Sequence, residues 1–304
     1  MTAVECAVTF PHPVDVGAVL APLRRGSGDP CLHRSGDGAI WRTSLLPSGP
    51  VTARLTKSAP HTVDCEAWGG GAGEFADALL KMLGGHDDPT GFTPAEPTIA
   101  AAHRRAPHLR IGRTDRVLEA LVPAVLEQRV PGAESFRSWR VLVTKFGAPA
   151  PGPAPTRMRV PPAAEVWRRI PSWEFHRANV DPGRARTIVG CAQRASSLER
   201  LSARPTEQAR AALMSLPGVG IWTAAETAQR AFGDADALSV GDYHLAKLVG
   251  WSLLGRPIDD AAMVRLLEPM RPHRYRAVRL LEVSGLARNP RFGARRATRN
   301  LRAL

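Results

Sequence analysis

The chain has 304 residues, 44% of them hydrophobic, including seven tryptophans. That is enough to bury a real core in one large or two medium domains, and it excludes a disordered or fibrous protein. The formal net charge of +13 and a pI near 10.9 favour an anionic partner.

Arginine carries the charge: only Lys57, Lys81, Lys145 and Lys247 are lysines among the 41 basic residues. From Arg271 to Leu304 there are ten arginines and one acid, Glu282. That segment reads either as a solvated basic tail or as one that tracks phosphates. Cys6, Cys31, Cys65 and Cys191 show no CxxC and no paired spacing, which argues against a zinc site or an iron–sulfur cluster. With no signal-peptide pattern and no apolar run of bilayer length, a cytoplasmic location, away from membranes, is expected.

The first hundred residues alternate like a small α/β unit. Residues 4–10 read as a strand, 14–23 as a short helix, and 40–46, 51–57 and 62–68 as three strands. Glycines at 69–73 break the pattern, 74–83 has helical spacing, and the turn-rich 84–97 marks a boundary. Beyond residue 99 nothing resembles a strand. Residues 115–130 predict a helix with Pro123 either kinking it or marking its true start. Further helices are expected over 135–146, 163–170, 182–197, 206–215, 221–232, 243–254, 259–270 and 275–284, with 147–162 an extended Pro-rich loop. The prediction is a mainly α protein: a helical bundle over 99–290, an N-terminal α/β domain over 1–98, and a basic tail over 291–304.

The most informative stretch is Leu216-Pro217-Gly218-Val219-Gly220, set between the helices 206–215 and 221–232. Two glycines around one apolar residue let the backbone turn sharply and present bare N–H groups at a helix start, which is an anion site. By residues alone the unit is either a tight corner that only packs or a phosphate clamp. Asp242 follows about twenty residues later, before another apolar helix. It reads as a plain N-cap or as a carboxylate kept ionised by the helix dipole, and the two roles are compatible.

The run from Leu216 through Ile221, Trp222, Thr223 and Ala224, the loop Gly233-Asp234-Ala235-Asp236, and Val240-Gly241-Asp242-Tyr243-His244 together resemble the HhH-GPD superfamily of DNA glycosylases. Within it the chain most resembles the 3-methyladenine DNA glycosylase II branch, over roughly residues 95–285. The N-terminal unit is similar to that branch's TATA-binding-protein-like domain. The resemblance implies a helix–hairpin–helix glycosylase acting on double-stranded DNA by base flipping, as a monomer, with no cofactor required. It makes Asp242 the catalytic carboxylate. Trp222 stands where bifunctional members carry a lysine, which implies base excision without strand cleavage; its indole would stack on a cationic alkylated base.

The same resemblance sets Glu226 one turn after Trp222 as a pocket residue, although an aromatic is expected there and solvent exposure is an equal reading. Trp173 and His176, in a polar-aromatic turn, become candidates for the pocket rim, against core packing for the tryptophan; Tyr243 is a further base-pocket candidate. Gln128 and Arg129 resemble the turn that enters the duplex and fills the gap left by a flipped nucleotide, with Arg129 in place of an apolar wedge. Gly218, Val219, Gly220 and His244 would contact the DNA backbone. A monovalent cation, Na⁺ or K⁺, would sit on the carbonyls of Met214, Leu216 and Val219. Three functions stay open at this point: excision of alkylated purines, excision of neutral bases such as hypoxanthine or uracil with a His or Glu226 as proton donor, and non-catalytic DNA binding.

Overall fold

The computed structural model describes residues 2–288, so the basic 291–304 segment lies outside the described residues. The N-terminal unit comprises β1 (Val4–Thr9), α1 (Val16–Leu20), β2 (Leu32–Arg34), β3 (Ile40–Leu46), β4 (Gly49–Ala59), β5 (Thr62–Trp68) and α2 (Ala72–Met82). Its strands form one antiparallel sheet in the order β1-β5-β4-β3-β2. In β5, Val63, Cys65 and Ala67 point inward while Thr62, Asp64 and Glu66 face out, the period-two pattern of a half-buried strand. Phe75 and Leu79 of α2 complete that core with Phe10, Leu20, Val51 and Leu55. The short edge strand β2 escapes prediction because three residues carry no periodicity.

The remainder is helical: α3 (Pro97–Arg105), α4 (Val117–Leu126), α5 (Gly132–Phe146), α6 (Ala164–Trp167), α7 (Ser172–Arg177), α8 (Pro182–Ala192), α9 (Ala195–Glu199), α10 (Thr206–Met214), α11 (Ile221–Ala231), α12 (Leu245–Leu254), α13 (Asp260–Leu267) and α14 (Arg274–Ser284). One correction is small: β6 (Ala148–Pro149) pairs with β7 (Arg159–Val160), closing the Pro-rich excursion into a hairpin where no strand was expected. The helix expected over 115–130 is shorter at both ends. It begins at Val117, where Glu199 accepts the N–H groups of Val117 and Leu118 at 2.8 and 3.0 Å. It runs through Pro123, neither starting nor ending there, and stops at Leu126.

The helices divide between two cores. One gathers α4, α5, α8, α10 and α11 around Leu121, Leu142, Ile188, Leu213 and Ala228. The other joins α3 to α12, α13 and α14 through Ile99, Val249, Met263, Leu267 and Leu281. The crossing at 84–97 therefore carries the chain past the first helical core and into the second, held by Arg276, which bonds both oxygens of Asp87 at 2.7 Å.

Candidate active site

Helices α10 and α11 form the expected pair, joined by the glycine turn. Val219 is buried and donates its N–H to the Leu216 carbonyl at 3.1 Å, anchoring the turn inward. Pro217, Gly218 and Gly220 stay exposed around it. Gly218 has φ +82°, and a Cβ there would meet Thr187 Oγ1 of α8 at 2.1 Å, so both conformation and space demand glycine. The N–H groups of Gly218 and Gly220 have no acceptor among the described residues. They lie at the start of α11, whose first turn also leaves unpaired donors.

Asp242 comes to this helix from the second core. Gly241, at φ +89°, turns the chain, and Asp242 N donates to the Ser239 carbonyl at 3.2 Å. Helix α12 begins at Leu245, two residues later than expected, with His244 in the capping position. Asp242 nonetheless performs the capping: Oδ1 accepts the N–H of His244 at 2.8 Å and of Leu245 at 2.9 Å. Oδ2 accepts the Trp222 indole N–H at 3.1 Å. Trp222 and Asp242, both half-buried, thus meet where the two helical cores adjoin, one helix start away from the glycine turn.

The loop that delivers Asp242 is fastened to α11. Gln229 donates to the Ala237 carbonyl at 2.8 Å and to Ser239 Oγ at 2.9 Å. Ser239 Oγ in turn donates to Glu226 Oε1 at 2.5 Å, and Glu226 Oε2 pairs with Arg230 at 2.8 Å. This corrects the expectation for Glu226: its carboxylate is committed to Ser239 and Arg230, so it neither lines an open pocket nor faces solvent, but holds the loop. Asp234 and Asp236 are anchors as well; Asp236 is gripped by Arg274 through both oxygens, at 2.8 and 2.5 Å. Gln229 and Ser239 were missed because nothing local distinguishes them from ordinary helix and loop residues.

Gln128 is also corrected. Its Nε2 donates to the Gly218 carbonyl at 2.9 Å and to Thr223 Oγ1 at 2.8 Å. It braces the hairpin and does not project. Its neighbour Arg129 is exposed with φ +57°, a left-handed conformation that turns the chain sharply outward at that point. Trp173 and His176 lie on α7, both exposed, the indole to 61%, so Trp173 is not part of the core; Phe175 fills that place. Tyr243 is 66% exposed, edge-on to the His244 ring at 4.9 Å and with the Lys247 ammonium 4.5 Å from its ring centre. Ile221 and Met214, at the facing ends of α11 and α10, are exposed as well.

No group of three or more His, Cys, Asp or Glu side chains among the described residues could hold a metal ion. No described helix is long and apolar enough to cross a membrane. Two cavities, one lined from α1, α2 and α14 and one lined by Arg25, Trp139 and Arg230, do not touch Asp242.

A helical bundle with a glycine hairpin, a carboxylate delivered beside it and a small antiparallel domain is the fold of the HhH-GPD glycosylases. In sequence the chain is similar to the "Probable bifunctional transcriptional activator/DNA repair enzyme AlkA" of Mycobacterium tuberculosis, 30% identical over 263 residues. The match covers 81% of this chain, which spans about half the length of those relatives (50%). No family model matches. In fold it is similar to the 3-methyladenine DNA glycosylase of Archaeoglobus fulgidus, with a TM-score of 0.78 at 18% identity over 92% of this chain and 98% of that one. It is also similar to the 8-oxoguanine glycosylase/lyase of Clostridium acetobutylicum, with a TM-score of 0.71 at 14% identity over 93% of this chain and 98% of that one.

Proposed function

We propose that the protein is a monofunctional DNA glycosylase that removes alkylated purines of the 3-methyladenine type from duplex DNA. The observation that carries this reading is the 3.1 Å contact between Trp222 and Asp242 beside the glycine turn. A nucleotide rotated out of the duplex would bring its base against the Trp222 face and its sugar toward Asp242. Cleavage of the glycosidic bond leaves positive charge on the sugar. At ~4 Å and an effective dielectric near 20, an ionised carboxylate stabilises that charge by about 4 kcal/mol. Trp222 adds a cation–π attraction of about 1–2 kcal/mol to a base already positively charged.

Such a base needs no proton to leave, which suits a site whose carboxylate oxygens already accept three N–H groups. Neutral lesions such as hypoxanthine or uracil need a donor, and Glu226, the best placed candidate, is held by Arg230 and Ser239. A purely structural DNA clamp would have no use for a carboxylate supported by an indole at the hairpin. The fold is shared by proteins with and without lyase activity in their names, so the monofunctional assignment rests on Trp222 standing in place of a lysine amine.

The Gly218 and Gly220 N–H groups, His244 and Arg129 would take DNA phosphates or the gap in the stack, and Trp173, His176 and Tyr243 would border the extruded nucleotide. The reaction requires no cofactor. A Na⁺ or K⁺ ion under the hairpin would rest on the Met214, Leu216 and Val219 carbonyls; the Leu216 oxygen, which already accepts the Val219 N–H, retains a second lone pair. The protein would act as a monomer at the nucleoid in the cytoplasm. A panel of duplexes, each with one lesion and scored for abasic sites after alkali, tests the assignment. Release of 3-methyladenine or 7-methylguanine is expected; release of none of the panel's bases contradicts it.

A further inference from the structure

The N-terminal domain reaches the end of α4 through Arg25. Arg25, whose side chain is 6% exposed, is held by its own domain through its N–H to Asp29 Oδ2 and its Nη1 to the Pro22 carbonyl, both at 2.7 Å. Asp29, itself buried, also accepts Cys31 N at 2.9 Å and the Trp139 indole N–H of α5 at 3.1 Å. From this fixed base Arg25 Nε meets Glu127 Oε1 at 2.9 Å. Both atoms are buried and neither has a hydrogen-bond partner among the described residues, so each depends on the other.

Glu127 ends α4 and directly precedes Gln128, bound to the hairpin, and Arg129, with its left-handed backbone. The Pro22 carbonyl that takes Arg25 also accepts Arg230 Nε of α11 at 2.8 Å. One short segment of the sheet domain therefore grips both the end of α4 and the helix that starts at the glycine turn. A turn forced between base pairs must resist displacement, and a buried ion pair anchored at both ends does so. Removing one partner leaves a buried charge that draws the backbone toward water.

We propose that Arg25 is a positioning residue: through Glu127 the N-terminal domain sets the turn that presents the exposed Arg129 for insertion into the duplex. The inference rests on the glycosylase reading above. The test compares Arg25→Met with the charge-neutral pair Arg25→Met/Glu127→Gln, on a methylated base paired in duplex and on the same base in single-stranded DNA, where no gap need be filled. Single-turnover release from duplex should fall about ten- to a hundredfold in Arg25→Met, while release from single strands stays within about twofold. The double variant should be no slower than the single one.

Hydrogen exchange of the free proteins supplies a readout independent of activity. Arg25→Met should exchange faster over 124–132 and unchanged over strands 40–68. Equal loss on both substrates, a double variant slower still, or unchanged exchange over 124–132 overturns the proposal. A wild-type protein that releases no base defeats the glycosylase reading instead, and exchange alone then decides the role of Arg25.

Discussion

The indole N–H of Trp222 and the carboxylate of Asp242 meet at 3.1 Å, although Trp222 lies on α11 of one hydrophobic core and Asp242 precedes α12 of the other. Asp242 is thereby oriented from two sides, by its own helix start through Oδ1 and by α11 through Oδ2. Removing the charge while keeping the shape isolates its role. Asp242→Asn is expected to bind DNA as the parent does and to lose roughly three decades of base release, the rate equivalent of ~4 kcal/mol. Anisotropy on undamaged duplex and single-turnover release on methylated duplex measure the two; full activity in this variant would remove Asp242 from the chemistry.

Trp222→Phe keeps an aromatic face and loses the N–H that holds Asp242. A hydrogen bond to a charged group contributes about 1.5–3 kcal/mol, so base release should slow roughly ten- to a hundredfold, with little change in DNA affinity. Borohydride should trap no covalent DNA adduct with the parent protein. An adduct would show that another amine serves as nucleophile.

The two hairpin glycines should respond differently. Gly218→Ala places a methyl 2.1 Å from Thr187 Oγ1 at a left-handed φ, so it should distort the turn and weaken binding to undamaged duplex at least about tenfold. A Cβ at Gly220 meets nothing within 4 Å, so Gly220→Ala should leave the melting temperature unchanged. Equal melting temperatures for the two variants would contradict the packing account.

Asp87→Ala leaves the buried Arg276 guanidinium without either of its 2.7 Å partners. Breaking a buried pair from one side costs about 3–5 kcal/mol, which denaturant unfolding would detect as a lower midpoint. The variant tests whether the 84–97 crossing is pinned to α14.

Glu199 links stability to pH. Burial holds its carboxyl above the usual value, opposed chiefly by Arg116. The folded protein therefore keeps this proton at pH values where the unfolded chain has released it. Its contribution falls as pH rises from the unfolded value near 4.5 through the raised folded one, and is level above that. The melting temperature of the parent minus that of Glu199→Gln should fall with rising pH across this window. A flat difference would show that the carboxyl is not perturbed.

Much of the architecture was legible because it follows local rules. Strand-like runs marked β3, β4 and β5, apolar spacing marked the long helices, and the two glycines around Val219 announced the hairpin. Illegible were elements too short for a period, such as β2 and the β6–β7 pair, and the true ends of α4. Its start depends on Glu199, some eighty positions away.

The sequence by itself determined the hairpin, the presence of a carboxylate twenty residues beyond it, and an indole one residue into the helix that follows the turn. Those are matters of backbone freedom and side-chain chemistry at single positions. Only the tertiary structure decided that Glu226 and Gln128 are fasteners, that Trp173 is exposed, and that Arg25 of the first domain reaches the turn after α4. A polar side chain's role depends on which partner burial brings to it, and that partner can lie anywhere in the chain.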